Sequence, residues 1–394
     1  MSLLFKLNLF FRNLLLDFLS LNCFINLNKA KKIVVFRNSS LGDFLQIIPA
    51  LNMLRSLNPH AKIVLITGIS TKSYSNQNQV NNIIWTKFVE ENLVDRVYRM
   101  NDYGQKNIFK LRTFIKELNP EMIVNLPFQT STFFSSLKHL IFFRFLSLRA
   151  KVFGIKLRAI QGIMKKYQID NKVYRHAIYG PLEAVQEISA TTKSFEEYIH
   201  FNDINFCEDN VSPELKDAIK QINSPQKSIC TISISSLKKH KDWGYKNFSK
   251  LVEFLSSNEE FKDLTLFPIG LEEDSHRINM LFPNAEKEIL KTIGKLNIFD
   301  LCYLFRRSKL LIANDGGACH LAAISSCPVV AITSGCNYPD AIYPINSKNL
   351  VIRNDDHHSA CFNFQYCKIC DDAIKDIAIY DVLKKVRLIL NERT

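Results

Sequence analysis

The chain has 394 residues, of which 47% are hydrophobic and 23% are charged. These values are typical of a folded protein and exclude a disordered or fibrous chain, and the length predicts two or three domains. The net charge of +13 favours an anionic partner such as phosphate, nucleic acid or an acidic membrane surface. The ten cysteines are too sparse for a disulfide scaffold and predict reduced thiols in a cytoplasmic protein.

The pattern of residues 1–30 predicts an amphipathic N-terminal extension. Charged residues at Lys6, Arg12 and Asp17 interrupt its apolar run, so neither a membrane-spanning helix nor a secretory signal is predicted. Helical spacing places one apolar stripe at Leu3, Leu7, Phe10, Phe11, Leu14, Phe18 and Leu21. Two interpretations stay open: a helix docked on the protein's own body, or a helix lying in a membrane interface.

Residues 31–205 predict the first α/β domain. A strand in KKIVVF, a turn in RNSSLGD, a helix in FLQIIPALNMLRSLNP and a strand in AKIVLITG form one βαβ unit. The segments DRVYRM, KLRTFIKELNP and EMIVNLP repeat the pattern. Because strands alternate with helices, we expect a doubly wound parallel sheet.

A basic and aromatic segment lies within this domain, where no acidic residue occurs between Met122 and Ile169. Its candidate basic face consists of Lys138, Arg144, Arg149, Lys151 and Arg158. Cations beside exposed aromatic side chains suit an anionic lipid or a phosphorylated glycolipid acceptor. The same composition suits RNA, or helices whose cations merely extend over a core, and these alternatives stay open.

The rest of the chain predicts a second α/β domain. Residues 206–226 are polar, contain two prolines and predict a linker. Residues 227–375 again alternate strands with helices, and residues 376–394 predict a final helix that could pack back on the first domain. Two such domains predict a central cleft, faced by the carboxyl ends of the strands, where ligands of these folds bind.

A glycine turn in LLIANDGGACHLAA carries the clearest chemical signal. A buried strand ends at Asp315, and a helix opens after Gly316 and Gly317, whose backbone N–H groups could approach an anion closely. Asp315 and His320 would stand at its mouth. The turn matches neither the dinucleotide-binding pattern nor the Walker pattern, which disfavours a dinucleotide-binding protein and a Walker-type NTP-binding protein. The structural alternative is an ordinary strand-to-helix turn.

A second turn, RNSSLGD, follows the first strand. Ser39, Ser40 and Gly42 predict a tight bend, with Asp43 near the start of the next helix. Asp43 could stabilise that helix N-terminus or serve as a general base.

A third turn, SISSLKKHKDWG, places hydroxyls and cations at the end of a strand. Ser235, Ser236 and Lys241 suit a diphosphate, and a solvated basic loop is the alternative.

Together, the three segments RNSSLGDFLQIIPALNMLR, SSLKKHKDW and ANDGGACHLAAISSCPVVAITSG resemble the bacterial heptosyltransferase family. This is glycosyltransferase family nine, the ADP-heptose:lipopolysaccharide glycosyltransferases of GT-B architecture. The resemblance extends from about Lys31 to Leu390. It implies two Rossmann-like domains and an inverting transfer of heptose from ADP-heptose to a lipopolysaccharide-core or related glycolipid. It further implies a cytoplasmic enzyme peripheral on the inner face of the bacterial inner membrane, with no nucleic acid partner.

The resemblance also implies residue roles. Asp43 matches the catalytic base, and Ser39, Ser40 and Gly42 match the acceptor-binding turn. The donor diphosphate contacts are Ser235, Ser236, Lys241, Gly316, Gly317, Ala318 and His320. Glu272, Glu273 and Asp315 match the region of the donor sugar or ribose. Because fixed cations and amides can stabilise the leaving diphosphate, we expect no cofactor besides the nucleotide sugar and no metal requirement.

Two features depart from the family pattern. The segment Ser334-Gly335-Cys336-Asn337 replaces the usual aromatic-glycine-proline-threonine turn, which leaves the identity of the donor open. Cys361, Cys367 and Cys370 include a C-x-x-C pair, half of a metal-binding pattern, and the resemblance implies metal in this region for some relatives. The same fold with another nucleotide sugar or a protein acceptor remains an alternative, as does a catalytically inactive basic nucleic-acid or membrane-binding protein.

Overall fold

The chain divides into two compact α/β units, the first ending at Ile204 and the second beginning at Asn205. The computed structural model describes residues 12–16, 30–37, 41–67, 86–100, 108–126, 133–155, 176–188, 193–201, 208–222, 227–236, 238–337, 339–345, 349–354, 361 and 366–391.

The first unit is built on a five-stranded parallel sheet in the order β3-β2-β1-β4-β5. Its strands are β1 (Lys32–Phe36), β2 (Lys62–Thr67), β3 (Arg96–Arg99), β4 (Met122–Asn125) and β5 (Lys151–Phe153). Val34 pairs with Val64 on one side and with Ile123 on the other, and all three are buried. Strand order reverses direction between β1 and β4, the position at which open α/β sheets bind ligands.

Helices pack on this sheet through their apolar faces. The helices are α1 (Leu41–Leu45), α2 (Ile48–Leu57), α3 (Ile108–Leu118), α4 (Phe133–Leu146) and α5 (Tyr179–Gln186). The single helix predicted after β1 is divided into α1 and α2 by a turn at residues 46–47. Pro49 lies in the first turn of α2, where its missing N–H costs no hydrogen bond, so the proline starts a new helix there.

Within the predicted N-terminal extension, the structure describes a helical turn at residues 12–16. Leu16 is fully buried in the first core with Leu140, Phe143 and Leu146, whereas Leu14 is 54% exposed. Within this helical turn, Leu16 and not Leu14 therefore packs into the first core, so Leu14 does not support docking of the predicted stripe on the protein's own body. The stripe's other members, and the rest of the extension, lie outside the described residues.

The second unit has its own five-stranded parallel sheet, in the order β10-β9-β8-β6-β7. Its strands are β6 (Ser228–Ser233), β7 (Leu264–Ile269), β8 (Ser308–Asn314), β9 (Val329–Thr333) and β10 (Leu350–Arg353). Strand order reverses between β6 and β8, so this sheet too has a switch point. Its core includes Trp243, Phe248, Ile232 and Ile312.

Eight helices accompany the described strands of this second unit. They are α6 (Pro213–Ile222), α7 (Tyr245–Ser257), α8 (Ser275–Leu281), α9 (Lys287–Leu290), α10 (Ile298–Arg307), α11 (Gly317–Ile324), α12 (Lys368–Lys375) and α13 (Ile379–Asn391).

The segment predicted as a linker contains α6. Leu215, Ala218, Ile219 and Ile222 are buried, at the spacing of one helical face. Just before α6, Ser212 N donates to Asp300 Oδ1 at 2.7 Å, which joins the segment to α10. The polar composition of 206–226 concealed this narrow apolar stripe, so much of the predicted linker is part of the second unit.

The C-terminal helix α13 packs on the second core. Val382, Leu383, Val386 and Ile389 lie in the same cluster as Trp243. These contacts place the apolar face of α13 against the second sheet.

Candidate functional site

Two of the predicted chemical turns follow neighbouring strands of the second sheet. β6 and β8 pair in parallel, with Ser233 opposite Ala313 at their carboxyl ends. The turn after β6 carries Ser235 and Ser236, and the turn after β8 carries Asp315 and the glycines. The topology therefore brings both turns to one edge of the sheet, at its switch point, where the sequence analysis expected a donor diphosphate.

An ion pair joins these two turns. Lys241 Nζ lies 2.5 Å from Asp315 Oδ2, and the Asp315 side chain is only 6% exposed. Burial alone would raise the pKa of Asp315, but Lys241, with His320 and Lys238, outweighs burial and holds that pKa below its usual value. Asp315 was assigned to the donor sugar or ribose, whereas the structure pairs it with the lysine predicted for the diphosphate.

Asn314 fixes the lysine turn against the end of β8. Its Nδ2 donates to Ile234 O at 3.0 Å, and its Oδ1 accepts from Trp243 N at 3.1 Å. The Trp243 indole in turn donates to Ile377 O at 2.9 Å. The sequence analysis assigned no role to Asn314. The signal that could have revealed it is an amide side chain at the end of a buried strand, directly before the glycine turn.

The glycine turn is accessible to solvent. Gly316, Gly317 and Ala318 are partly exposed, and α11 begins at Gly317, so the first turn of that helix is partly open to solvent. A side chain at Gly316 would meet nothing closer than Asn314 O, at 3.8 Å. His320 lies one turn into α11 and is buried. An anion can therefore reach the N-terminal amides of α11.

Ser235 and Ser236 lie beside this edge, but their hydroxyls already make internal hydrogen bonds. Ser236 Oγ donates to Lys238 O at 2.9 Å, and Ser235 Oγ donates to Asp274 Oδ2. The two glutamates proposed for the donor sugar, Glu272 and Glu273, are exposed in the 3-10 turn that follows β7. The buried acid of that turn is Asp274, which the sequence analysis missed.

The corresponding turn of the first unit follows β1. Gly42 is buried and Asp43 is partly exposed in α1, while Ser39 and Ser40 lie outside the described residues.

A buried arginine that the sequence analysis missed supports this turn. Arg37 Nη2 donates to Asp43 O and Nη1 donates to Leu126 O, both at 3.0 Å. The arginine thus joins the ends of β1 and β4, on the two sides of the switch point. Burial lowers its pKa to about 10, opposed by the charge of Asp43.

The predicted basic face is only partly at the surface. Lys138 and Arg149 are exposed, as predicted. Arg144 instead turns back over the end of α4, where Nη1 donates to Ala150 O at 2.7 Å. Lys151 is buried in β5, and burial lowers its pKa. Lys151 was therefore wrongly assigned to the face, because its strand position points inward. Arg144 is partly exposed, and its guanidinium is held by the unpaired carbonyls at the end of α4. Arg158 lies outside the described residues.

A cluster of thiols lies at the carboxyl end of β9. Cys336, Cys361 and Cys370 bring their sulfur atoms within 4.8 Å of one another, and Cys361 Sγ is 3.6 Å from Cys370 Sγ. Cys336 was not predicted here. Cys367 also contacts Cys370. Burial is the main reason that the pKa of Cys370 is strongly raised, with contributions from the other three thiols. None of the cysteines that the structure describes forms a disulfide.

Among the described helices, none combines the length and the apolar character needed to cross a bilayer.

Comparisons with known proteins were made for the whole chain. The model of glycosyltransferase family 9 (heptosyltransferase) matches residues 156–368, more than half of the chain. A search of curated proteins found no match.

Several solved structures share the fold. A family 9 glycosyltransferase from Veillonella parvula DSM 2008 is 18% identical with a TM-score of 0.65, covering 93% of this chain and 99% of its own. The ADP-heptose lipopolysaccharide heptosyltransferase II of E. coli is 17% identical with a TM-score of 0.59, covering 92% and 100%.

A third structure is that of TibC from enterotoxigenic E. coli, an iron-containing dodecameric heptosyltransferase in complex with ADP-D-beta-D-heptose. It is 12% identical with a TM-score of 0.50, covering 94% of this chain and 78% of its own. These likenesses confirm the expected α/β fold of two parallel-sheet domains, the GT-B architecture of the heptosyltransferases. Because the family model also spans more than half of its length, the chain belongs to glycosyltransferase family 9 and is a glycosyltransferase.

Proposed function

We propose that the protein transfers heptose from ADP-heptose to a lipid-linked saccharide such as a lipopolysaccharide core. The observation that carries this proposal is the edge formed by the turns after β6 and β8. There, Lys241 and the N-terminal amides of α11 at the partly exposed residues Gly317 and Ala318 can face an anion at a switch point. Heptosyltransferase II and TibC, which share the fold, are described with ADP-heptose, which supports the choice of donor.

In the proposed reaction, the acceptor hydroxyl attacks the anomeric carbon of the donor sugar. The bond from that carbon to the diphosphate oxygen breaks, a new glycosidic bond forms with inversion, and ADP leaves. The Asp43 carboxylate takes the hydroxyl proton. The charge that develops on the diphosphate is stabilised by the helix-end amides and by Lys241, which are already fixed in place by Asn314 and Asp315.

The donor is tested by incubating the protein with a panel of nucleotide sugars, measuring both released nucleoside diphosphate and the midpoint of thermal unfolding. We expect ADP-heptose to raise the midpoint most, because a ligand at 100 times its Kd adds about 2.7 kcal/mol to the free energy of unfolding. Stabilisation by a different nucleotide sugar alone would replace ADP-heptose in the proposal. No response to any nucleotide sugar would refute it.

The base is tested with Asp43→Asn. We expect turnover to fall by roughly 10²–10⁴-fold, since this is the usual contribution of a general base, while ADP binding is retained. Asp217→Asn, an exposed aspartate on α6, is the control for loss of a carboxylate as such. An Asp43→Asn enzyme with normal turnover would show that another group takes the proton.

That the transfer needs no metal ion stays a prediction. Brief exposure to EDTA should leave activity intact, and a loss that Mg²⁺ restores would contradict it.

Because the proposed acceptor is linked to a lipid, we also propose that the protein binds the inner face of the bacterial inner membrane. Phe134 and Ile141 are 73% and 62% exposed on one face of α4, with Lys138 between them. Phe109 on the neighbouring helix α3 is also exposed. Aromatic and aliphatic side chains beside a cation suit a surface of anionic lipid and the anionic head of a glycolipid.

Membrane binding is tested by flotation with vesicles of phosphatidylethanolamine and phosphatidylglycerol, compared with phosphatidylcholine alone. We expect binding to the anionic vesicles, and a loss of at least about tenfold in the double variant Phe134→Ser/Ile141→Ser, because burying each side chain contributes about 1.5–3 kcal/mol. Met280→Ser, a half-exposed residue of α8, is the matched control. Equal binding by both variants would exclude this face of α4 as the membrane contact.

A further inference from the structure

Four cysteines converge on one point of the second unit from three separate parts of the chain. Cys336 lies on the turn after β9, Cys361 lies 25 positions later in a connecting segment, and Cys367 and Cys370 flank the start of α12. Cys336 and Cys370 are fully buried. Three of the sulfur atoms lie within 4.8 Å of one another, and Cys367 contacts the third of them.

The spacing of the sulfur atoms fits ligands of one metal ion. A tetrahedral ion with metal–sulfur bonds of about 2.3 Å separates its sulfur atoms by roughly 3.8 Å. Cys361 Sγ and Cys370 Sγ are 3.6 Å apart, and the other separations among the three thiols stay within 4.8 Å, so small side-chain movements suffice to close them. A disulfide needs only about 2.0 Å between sulfur atoms, so the observed distances match coordination better than oxidation.

The surroundings also suit thiolates. Cys370 lies in the first turn of α12, where unpaired backbone N–H groups favour a negatively charged sulfur. The cluster offers sulfur as its only ligand atom, which selects a thiophilic transition ion such as Zn²⁺ or Fe²⁺ over Mg²⁺ or Ca²⁺.

We propose that Cys336, Cys361, Cys367 and Cys370 bind a single zinc or iron ion that joins the turn after β9 to the start of α12. Each thiol gives up its proton on binding, so four protons are released for each divalent ion, with no change of oxidation state. Cys336 is the most informative ligand to change, because it alone comes from the turn after β9. In that turn the sequence departs from the aromatic-glycine-proline-threonine pattern.

The ion would act as a structural clamp close to the proposed donor site. Helix α12 packs against the 3-10 turn Lys239–Lys241, which carries Lys241. The end of α12 is also attached to the start of α7, where Asn247 Nδ2 donates to Lys375 O at 2.8 Å. Fixing the start of α12 therefore steadies the turn that presents Lys241. The metal site itself does not depend on the proposed donor, and its test is independent of sugar transfer.

The test is to purify the full chain under anaerobic conditions and to measure bound metals by mass spectrometry. We expect about one zinc or iron ion per chain, and a second measurement follows uptake of Co²⁺ by the metal-free protein. Tetrahedral cobalt bound to thiolates absorbs strongly in the visible range, with sulfur-to-metal charge-transfer bands at shorter wavelength.

Variants identify the ligands. Cys336→Ser should lower metal content by more than about tenfold, since loss of a ligand costs at least as much as loss of its outer partners. Cys327→Ser is the matched control, because Cys327 is an equally buried thiol that precedes the same strand β9. Cys361→Ser changes a less buried position and keeps the test valid if Cys336→Ser fails to fold.

Three results would overturn the proposal. One is a folded wild-type chain that holds no metal and takes up no Co²⁺. Another is full metal content in folded Cys336→Ser and Cys361→Ser proteins. The third is a disulfide between cluster cysteines in the anaerobic protein, found by thiol titration. Retention of metal by Cys327→Ser together with its loss from the cluster variants would confirm the assignment.

Discussion

The ion pair between Lys241 and Asp315 shows how single side chains prepare this edge of the second sheet. Asp315 alone would be a costly buried charge, and Lys241, whose side chain is 19% exposed, offsets that cost. The same lysine is thereby held where a diphosphate would need it. Neither residue could be assigned to this pair from sequence, because 74 positions separate them and only the parallel pairing of β6 with β8 brings them together.

We expect Lys241→Met to lower the free energy of unfolding by up to about 3–5 kcal/mol, because it leaves a buried carboxylate without its cation. The additional change Asp315→Asn should restore part of this loss, while ADP affinity stays low in both proteins. Urea unfolding and calorimetric titration with ADP measure the two quantities. Additive losses in the double variant would contradict coupling between the two side chains.

His240 is the residue whose protonation should change stability near neutral pH. It is fully buried, and neither ring nitrogen has a hydrogen-bond partner among the residues described. Burial lowers its pKa, Lys238 and Lys241 lower it further, and Asp371 opposes them. Tyr366 packs edge-on against the ring, with 6.3 Å between centroids.

The sign of the effect follows from proton uptake. The unfolded chain binds a proton at His240 below about pH 6.5, whereas the folded chain binds it only at lower pH. We therefore expect stability to be complete above this pH and to fall as pH is lowered toward the folded pKa. Urea unfolding between pH 5 and 8 should show a shallower decline for His240→Phe than for wild type. The exposed residue His60, changed to Phe, serves as the control, and identical slopes for all three proteins would exclude His240 as the cause.

At the scale of elements, hydrogen bonds of two side chains determine where helix α10 begins. Asn297 Oδ1 accepts from Phe299 N and Asp300 N, and Asp300 Oδ2 accepts from Asn297 N, which forms a capping box. The other oxygen of Asp300 accepts from Ser212 N. This helix start is therefore also the attachment point of the segment that was predicted to be a linker.

We expect Asn297→Ala to lower the free energy of unfolding by about 0.5–2 kcal/mol, the usual cost of a lost N-cap. Asn258→Ala removes a cap that accepts from Glu260 N at 2.9 Å, before a short 3-10 turn, and should cost less. Thermal and urea unfolding compare the two. An equal or larger loss for Asn258→Ala would contradict the expectation that the reciprocal capping box at Asn297 contributes more.

The predicted elements succeeded where apolar residues were continuous. The runs KIVVF, KIVLIT and VVAIT are β-branched and uninterrupted, so they are recognisable as the buried strands β1, β2 and β9. Prediction failed at α6, whose buried residues occupy one narrow stripe of a polar segment, and at the break between α1 and α2. The extent of α6 depends on the neighbouring element that covers its stripe, whereas the break before α2 follows from Pro49 in its first turn.

At the scale of the whole molecule, the charge of +13 bears on the proposed membrane contact. Attraction between a basic protein and anionic lipid is screened by salt, with a Debye length of about 10 Å at 0.1 M that falls to about 3 Å at 1 M. We expect flotation with phosphatidylglycerol vesicles to decline as salt rises from 0.1 to 1 M. Binding that does not change with salt would show that apolar contacts alone hold the protein on the vesicle.

The sequence by itself determined the alternation of strands and helices, the two-domain α/β architecture, the glycine turn and the family. These features depend on residues only a few positions apart in the chain. The spacing of apolar residues, β-branched side chains and the backbone freedom of glycine directly determine the local structure there. Tertiary structure alone decided which distant groups meet: Lys241 with Asp315, Cys336 with Cys361 and Cys370, and Arg37 with Leu126. It also buried Lys151 in β5 and bound Arg144 to backbone carbonyls at the end of α4. Such contacts arise from strand order and packing, whose free energies are shared among many residues and leave no local pattern.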